Sequence, residues 1–182
     1  MIGYASEESK KIDKAVKNQS RRVALELGAR MINNIKEYNN RNQRCLPGIN
    51  NSRFTWQHQL YSDQIPGLGQ SAIRPDGGAF FIEGHPVLSP EGKYQKSKGN
   101  ANNRVFRDIY IFNRLIQNVD YVLFCTGEGV RPTSTMYQDL CLLTDEFNVY
   151  KHNGISVFLD ENGFSDEIIY TTIKMIIENR LK

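Results

Sequence analysis

The chain has 182 residues, a length that suits one domain around one packed core. Apolar residues make up 40% and charged residues 24%, which excludes wholesale disorder and a fibrous fold, and no apolar run approaches membrane-spanning length. The net charge of +3 is too small to identify a partner, but residues 1–75 carry twelve basic and six acidic side chains whereas residues 120–182 carry five and ten.

From about Ser9 to Tyr38 there is no proline, and Ile12, Val16, Val23, Leu27, Met31, Ile35 and Tyr38 recur at helical spacings. This predicts one long helix or two in succession. Residues 39–70 hold Pro47-Gly48 and Pro66-Gly67 among many Asn, Ser and Gln, and read as irregular chain with a short strand at Arg53–Trp56. Ala79–Glu83 and Val87–Glu91 read as two adjacent strands turned by Gly84-His85-Pro86. Pro90 cannot donate to a ladder, so an edge position or a bulge is expected there. A helix over Asn100–Gln117 follows, then the apolar run Tyr121–Cys125, suited to a buried central strand. A helix near Tyr137–Glu146, a strand at Ile155–Leu159 and a helix from Ser165 to Leu181 complete the chain. No repeat, low-complexity tract or linker interrupts it. The prediction is one α/β domain over residues 1–182, with a mixed central β-sheet flanked by helices.

The stretch with chemical content is Arg74–Arg104. Asp76 lies just before the first strand of the hairpin, and Glu91 and Lys93 lie at the end of the second. Positions i and i+2 of a strand share a face, so Glu91 and Lys93 project together. The hairpin can bring Asp76 beside Glu91, where two carboxylates repel unless a cation sits between them. Such oxygen ligands suit Mg²⁺, with the Gly92 carbonyl as a further ligand. A lysine beside the metal can orient or deprotonate a water, and a hard cation can stabilise charge on a phosphoryl oxygen. By chemistry alone this is a candidate phosphodiesterase site. Pro-Asp-Gly-Gly is also a common turn and Glu-x-Lys a common exposed strand pair, so the triplet by itself does not decide the matter.

Three motifs in order go further: Pro75-Asp76-Gly77-Gly78, then Glu91-Gly92-Lys93-Tyr94-Gln95, then Gly99-Asn100-Ala101-Asn102-Asn103-Arg104. Together they resemble the EcoRI-like type II restriction endonucleases, the EcoRI/MunI branch of the PD-(D/E)xK nucleases. That family shows a PDGG-like turn, an ExK-x-Q strand end and a downstream GNAxxR at a helix start. The later Tyr121–Gly129 is similar to its central strand and following loop. The resemblance implies a restriction-endonuclease-like core over about residues 74–129. It assigns Asp76, Glu91 and Gly92 to Mg²⁺, Lys93 to the attacking water, and Asn100, Ala101 and Arg104 to bases in the major groove of double-stranded DNA. Asn can pair with an adenine edge, Arg can reach purine acceptors, and alanine allows close approach. Gln95, Gly99 and Asn103, within the same motifs, are expected at the DNA, Lys96 and Lys98 at its backbone, and Arg131 at the outer base pair. The chain departs from the family in carrying Asn103 where Glu is common, and Pro90 before Glu91.

The implied activity is Mg²⁺-dependent cleavage at a short palindrome, AATT-centred in the family, leaving 5′-phosphate ends. A two-fold palindrome calls for a homodimer. Two other readings stay open: a DNA-binding protein that does not cleave, and a structure- or damage-specific nuclease. The start MIGYASEESKK lacks the apolar centre of a secretory leader, and Cys45, Cys125 and Cys141 form no CxxC pair, so a cytoplasmic protein with reduced thiols is expected. No membrane partner is expected, and no nucleotide cofactor, because Pro66-Gly67-Leu68-Gly69 does not join a strand to a helix. Glu26 and Glu37 are helix carboxylates within conceivable reach of a metal, but are left outside the core site. His58, His85 and His152 are isolated and have no metal-ligand spacing.

Overall fold

The computed structural model describes residues 6–33, 53–59, 74–96, 119–150 and 154–182. Helix α1 (Glu7–Glu26) begins at Ser6, whose hydroxyl accepts a hydrogen bond from the Ser9 amide, with Glu7 and Glu8 at the favourable end of the helix dipole. The helical spacing continues past Glu26 in sequence, but the helix does not. Gly28 takes φ +74°, its amide returns to the Leu25 carbonyl, and Arg30–Ile32 forms strand β1 instead. Met31, counted as helical by its spacing, therefore belongs to the sheet.

The other strands are β2 (Phe54–Gln57), β3 (Ala79–Ile82), β4 (His85–Tyr94), β5 (Asp120–Thr126) and β6 (Ile155–Asp160). Helix α2 (Thr135–Tyr150) precedes β6, and helix α3 (Asp166–Leu181) follows it. The strands lie side by side in chain order in a single mixed sheet: β2/β3 and β3/β4 are antiparallel, and β1/β2, β4/β5 and β5/β6 are parallel. Among the described residues the fold is thus mixed α/β, a six-stranded sheet flanked by helices. None of the described helices is long and apolar enough to cross a membrane.

Two local expectations are corrected. The hairpin turns at Glu83-Gly84, not at Gly84-His85-Pro86, which leaves His85 and Pro86 in β4. Both turn residues have positive φ, +52° and +85°, as the tightest two-residue hairpins require. Pro90 sits neither in an edge strand nor at a bulge. β4 is interior, and although it is bulged, its extra residue is Val87, three positions earlier, where Phe80 pairs with Leu88 and Phe81 with Pro86. The Pro90 carbonyl accepts from the Gly77 amide at 3.0 Å. A residue's N and O leave the same side of a strand, so the missing donor faces the turn before β3 rather than a paired ladder. The expected helix over Asn100–Gln117 lies outside the described residues.

Helices α1 and α3 cover one face of the sheet. Val16, Val23, Ile169, Ile173 and Ile177 bury themselves against Phe54, Trp56, Phe80, Leu88, Val122 and Phe124. The two helices are also linked through Glu26, which accepts from Tyr170 and Lys174. Arg180 closes the far end of α3 on β5 with a two-pronged pair to Asp120, at 2.9 and 2.7 Å. Ser165 caps α3 by accepting from the Ile168 amide, as its sequence predicts.

Gly28 and Gly78 share a positive φ but not an environment. A Cβ on Gly28 would meet nothing within 4 Å, whereas one on Gly78 would fall 2.3 Å from the Gln57 carbonyl oxygen and 2.8 Å from the Trp56 ring. Gly28→Ala should therefore cost only backbone strain, about 1 kcal/mol. Gly78→Ala adds a backbone clash and should cost roughly 3 kcal/mol or more. Urea titration of the two variants checks this; equal losses would contradict the account.

Candidate active site

The Pro75-Asp76-Gly77-Gly78 turn is held from three sides. The Gly77 amide donates to Pro90 of β4, and its carbonyl accepts from Trp56 Nε1 of β2 at 2.9 Å. On the α1 side, a Cβ at Gly77 would come within 2.6 Å of Ser20 Oγ, so the turn can approach the helix this closely only without a side chain there. This seating sets Asp76 beside the last residues of β4.

The side chains then interlock. The Asp76 amide donates to Glu91 Oε2 at 2.8 Å, and the Gly92 amide donates to Asp76 Oδ2 at 3.2 Å. Lys93 Nζ donates to Glu91 Oε1 and stands 3.9 Å from Asp76 Oδ2. Each carboxylate thus accepts a backbone amide from beside the other, and one ammonium serves both. The side chain of Glu91 is 9% exposed, against 23% for Asp76 and 28% for Lys93. The group is sunk in the surface but reachable from solvent. Asp76, Glu91 and Lys93, named from sequence, do meet in space.

Burial is the largest influence on Glu91 and pushes its carboxyl well above the ordinary range; Lys93 opposes this and the charge of Asp76 adds to it. A third carboxyl, Asp13 of α1, feels the same centre. Burial and then the negative charge of Asp76 push it up to about 6, against the pull of Lys93. Asp13 is there because β4 and α1 touch: a Cβ on Gly92 would lie 3.1 Å from Ile12 Cγ1 and 3.2 Å from the Ile12 backbone, so glycine lets the helix seat directly on the strand. Sequence reasoning weighed only Glu26 and Glu37 as further acidic groups, and left both outside the core site. Glu26 is engaged with Tyr170 and Lys174, and Glu37 lies outside the described residues. The available signal was that Asp13 is the lone acidic residue within the run Lys10-Lys11-Ile12-Asp13-Lys14-Ala15-Val16-Lys17. Nearby Cys125 is buried; this pushes its thiol up to about 12 despite Lys93, so it stays protonated and is no nucleophile at neutral pH.

Among the described residues, no three His, Cys, Asp or Glu side chains gather as a metal-binding group. The donor chemistry nevertheless fits Mg²⁺, which takes one or two protein carboxylates and completes its shell with water and phosphate oxygens. Asp76 and Glu91 are two such hard donors, adjacent and partly open. For Gly92, expected to contribute its carbonyl, the contact that is seen is the hydrogen bond its amide donates to Asp76 Oδ2.

The expected DNA-contacting residues are divided. Lys96 is exposed. Gln95 is 3% exposed: its amide donates to Thr126, its carbonyl accepts from Gly129, and its side chain packs where any Cβ on Gly129 would intrude. It braces the loop after β5 rather than offering a surface for DNA. Arg131 is exposed, but its guanidinium is held by Glu161 at 2.7 Å and approached by Glu128 at 3.8 Å. Lys98, Gly99, Asn100, Ala101, Asn103 and Arg104 lie outside the described residues. Comparison of the chain with protein-family models, curated proteins and solved structures finds no match.

The Asp13 carboxyl has a clear pH signature. Its folded value of about 6 lies above the ordinary aspartate value of 3.8, so the folded state holds the proton longer than the unfolded one. Its influence on stability is nil below the lower value, and stability falls as pH rises through the upper one. In metal-free buffer Asp13→Asn should match the parent near pH 3.5 and become the more stable of the two between about pH 4 and 7. Urea midpoints across that range test it; a constant difference would refute the coupling.

Proposed function

We propose that the protein is a Mg²⁺-dependent type II site-specific deoxyribonuclease with a restriction-endonuclease-like core, hydrolysing phosphodiester bonds of double-stranded DNA at a short palindrome. One observation carries this reading: the turn before β3 and the end of β4 assemble two carboxylates and a lysine into one partly buried, hydrogen-bonded group. The resemblance of residues 74–104 to the EcoRI-like enzymes supports it.

Asp76 and Glu91 would hold the ion, and their partly buried setting strengthens attraction to a cation. The ion, when bound, supplies Lewis-acid stabilisation of charge developing on the phosphoryl oxygens. Lys93, fixed by Glu91, is positioned to orient the attacking water and to stabilise the hydroxide character it gains. The water oxygen forms the new bond to phosphorus as the bond to the 3′ oxygen breaks, which leaves a 5′ phosphate. Asn100, Ala101 and Arg104 would read base edges, with Lys96 and Lys98 on phosphates. Two copies related by a two-fold axis would cut both strands.

Incubation with plasmid DNA and Mg²⁺ should give discrete fragments. A smear or selective nicking would point to a structure-specific nuclease, and intact plasmid with retained binding to a non-cleaving protein. Asp76→Asn keeps an acceptor for the Gly92 amide while removing the charge; it should lower cleavage by roughly a hundredfold or more with DNA binding retained. Continued cutting by that variant would sink the metal assignment. Arg104→Ala should cost roughly 1–3 kcal/mol of specific over non-specific binding; an unchanged ratio in competition assays would remove it from base reading.

A further inference from the structure

One flank of α1 carries Lys10, Lys14 and Lys17, spaced so that they share a helix face. All three are exposed. With Arg74, Trp56 and His58 they line a cleft of about 470 Å³ that also takes in Asp13 and Asp76 at the candidate centre. Arg21 continues the stripe, its guanidinium 5.7 Å over the Trp56 ring. The field in the cleft is felt by His58, whose imidazolium is disfavoured first by burial and further by Lys17 and Arg74.

Charge pairing differs between the cleft and several other basic residues of the fold, though Lys11, Arg30 and Lys96 also enter no salt bridge among the described residues. Arg22, Arg53, Arg131, Lys174 and Arg180 are each bound to a carboxylate of the fold. Lys10, Lys14, Lys17 and Arg74 enter no salt bridge among the described residues. Like charges one helical turn apart weaken a helix, so the mutual repulsion of the three lysines is a cost in the free protein. A merely solvated helix face has no reason to coincide with a concave surface that runs to Asp76.

We propose that the Lys10–Lys14–Lys17 stripe and Arg74 form a track for the phosphates of duplex DNA, leading one strand into the Asp76–Glu91–Lys93 centre. The proposal rests on the nuclease reading of that centre. The seven residue steps from Lys10 to Lys17 rise by about 10 Å along the axis, enough to face roughly three successive phosphates of one strand. The two carboxylates in the cleft, Asp13 and Asp76, both lie at the end that meets the Asp76–Glu91–Lys93 centre.

The test is duplex binding by the full chain in EDTA, followed by fluorescence anisotropy across a salt series. Lys10→Ala/Lys14→Ala/Lys17→Ala should weaken binding at least tenfold and reduce the slope of log affinity against log salt by roughly 2–3. The loss should be equal for cognate and unrelated duplexes, because phosphates carry no sequence information. Lys10→Arg/Lys14→Arg/Lys17→Arg, which keeps the charge, should retain the parental slope; its retention excludes damage to the fold as the cause. A parent that binds duplex while the alanine variant keeps its affinity and slope would overturn the track and leave the nuclease reading standing. A parent that binds no duplex would overturn that reading and the track with it.

Discussion

Strand β4 bears both the architecture and the chemistry, and it can do so because the turn before β3 is stitched to it. The Gly77 amide fills the acceptor on Pro90, the Asp76 amide fills one oxygen of Glu91, and the Gly92 amide fills one oxygen of Asp76. Three consecutive residues of a strand end, in a stretch where β3 no longer pairs, thereby gain partners they would otherwise lack. The ladder with β5 carries the strand to Tyr94, and on its other edge the stitching satisfies backbone groups that would cost as much as a lost hydrogen bond if left unpaired. It also places two carboxylates side by side, at an electrostatic cost the backbone amides and Lys93 offset only in part. The carboxyls of Glu91 and Asp13 are raised chiefly by burial, and the negative charge of Asp76 adds to both.

A charge arrangement of this kind has a physical direction. Carboxylates that are uncomfortable together become favourable when a cation arrives, and partial burial strengthens every interaction in the group. A lysine whose ammonium is already held by one of them cannot drift away. The position of Lys93 is therefore set in the free protein.

Much of this was legible in the sequence where local signals and the fold agree. YVLFC reads as a buried central strand because both of its faces are apolar, and it is one; Ser165 reads as a cap because it stands three residues before an amide it can bond. The spacing of Glu91 and Lys93 put them on one face without knowledge of the sheet. Misreadings arose where tertiary contacts override spacing. Met31 continues a helical pattern, but a left-handed glycine intervenes and β2 offers a ladder. Pro90 looks confined to an edge until the turn that faces its nitrogen is seen. Gln95 reads as a polar motif residue, yet the loop after β5 closes over it. Asp13 was missed because its role depends on the seating of Ile12 on Gly92, a contact between residues eighty positions apart.

Helix α1 shows why a charge total conveys so little. Its buried stripe of Ile12, Val16 and Val23 anchors it to the sheet, and that anchoring fixes the azimuth of every other side chain on it. With the apolar stripe inward, Asp13 falls at the carboxylate group and Lys10, Lys14 and Lys17 fall along the cleft beside it. Glu26, near the other end, meets α3 instead. Acidic and basic residues on one helix are thus sorted by the same hydrophobic constraint, the carboxylate Asp13 toward the centre and the lysines toward its approach. Summed over the chain these charges nearly cancel; arranged by the packing of three apolar residues, they give the cleft a cationic approach and an anionic end.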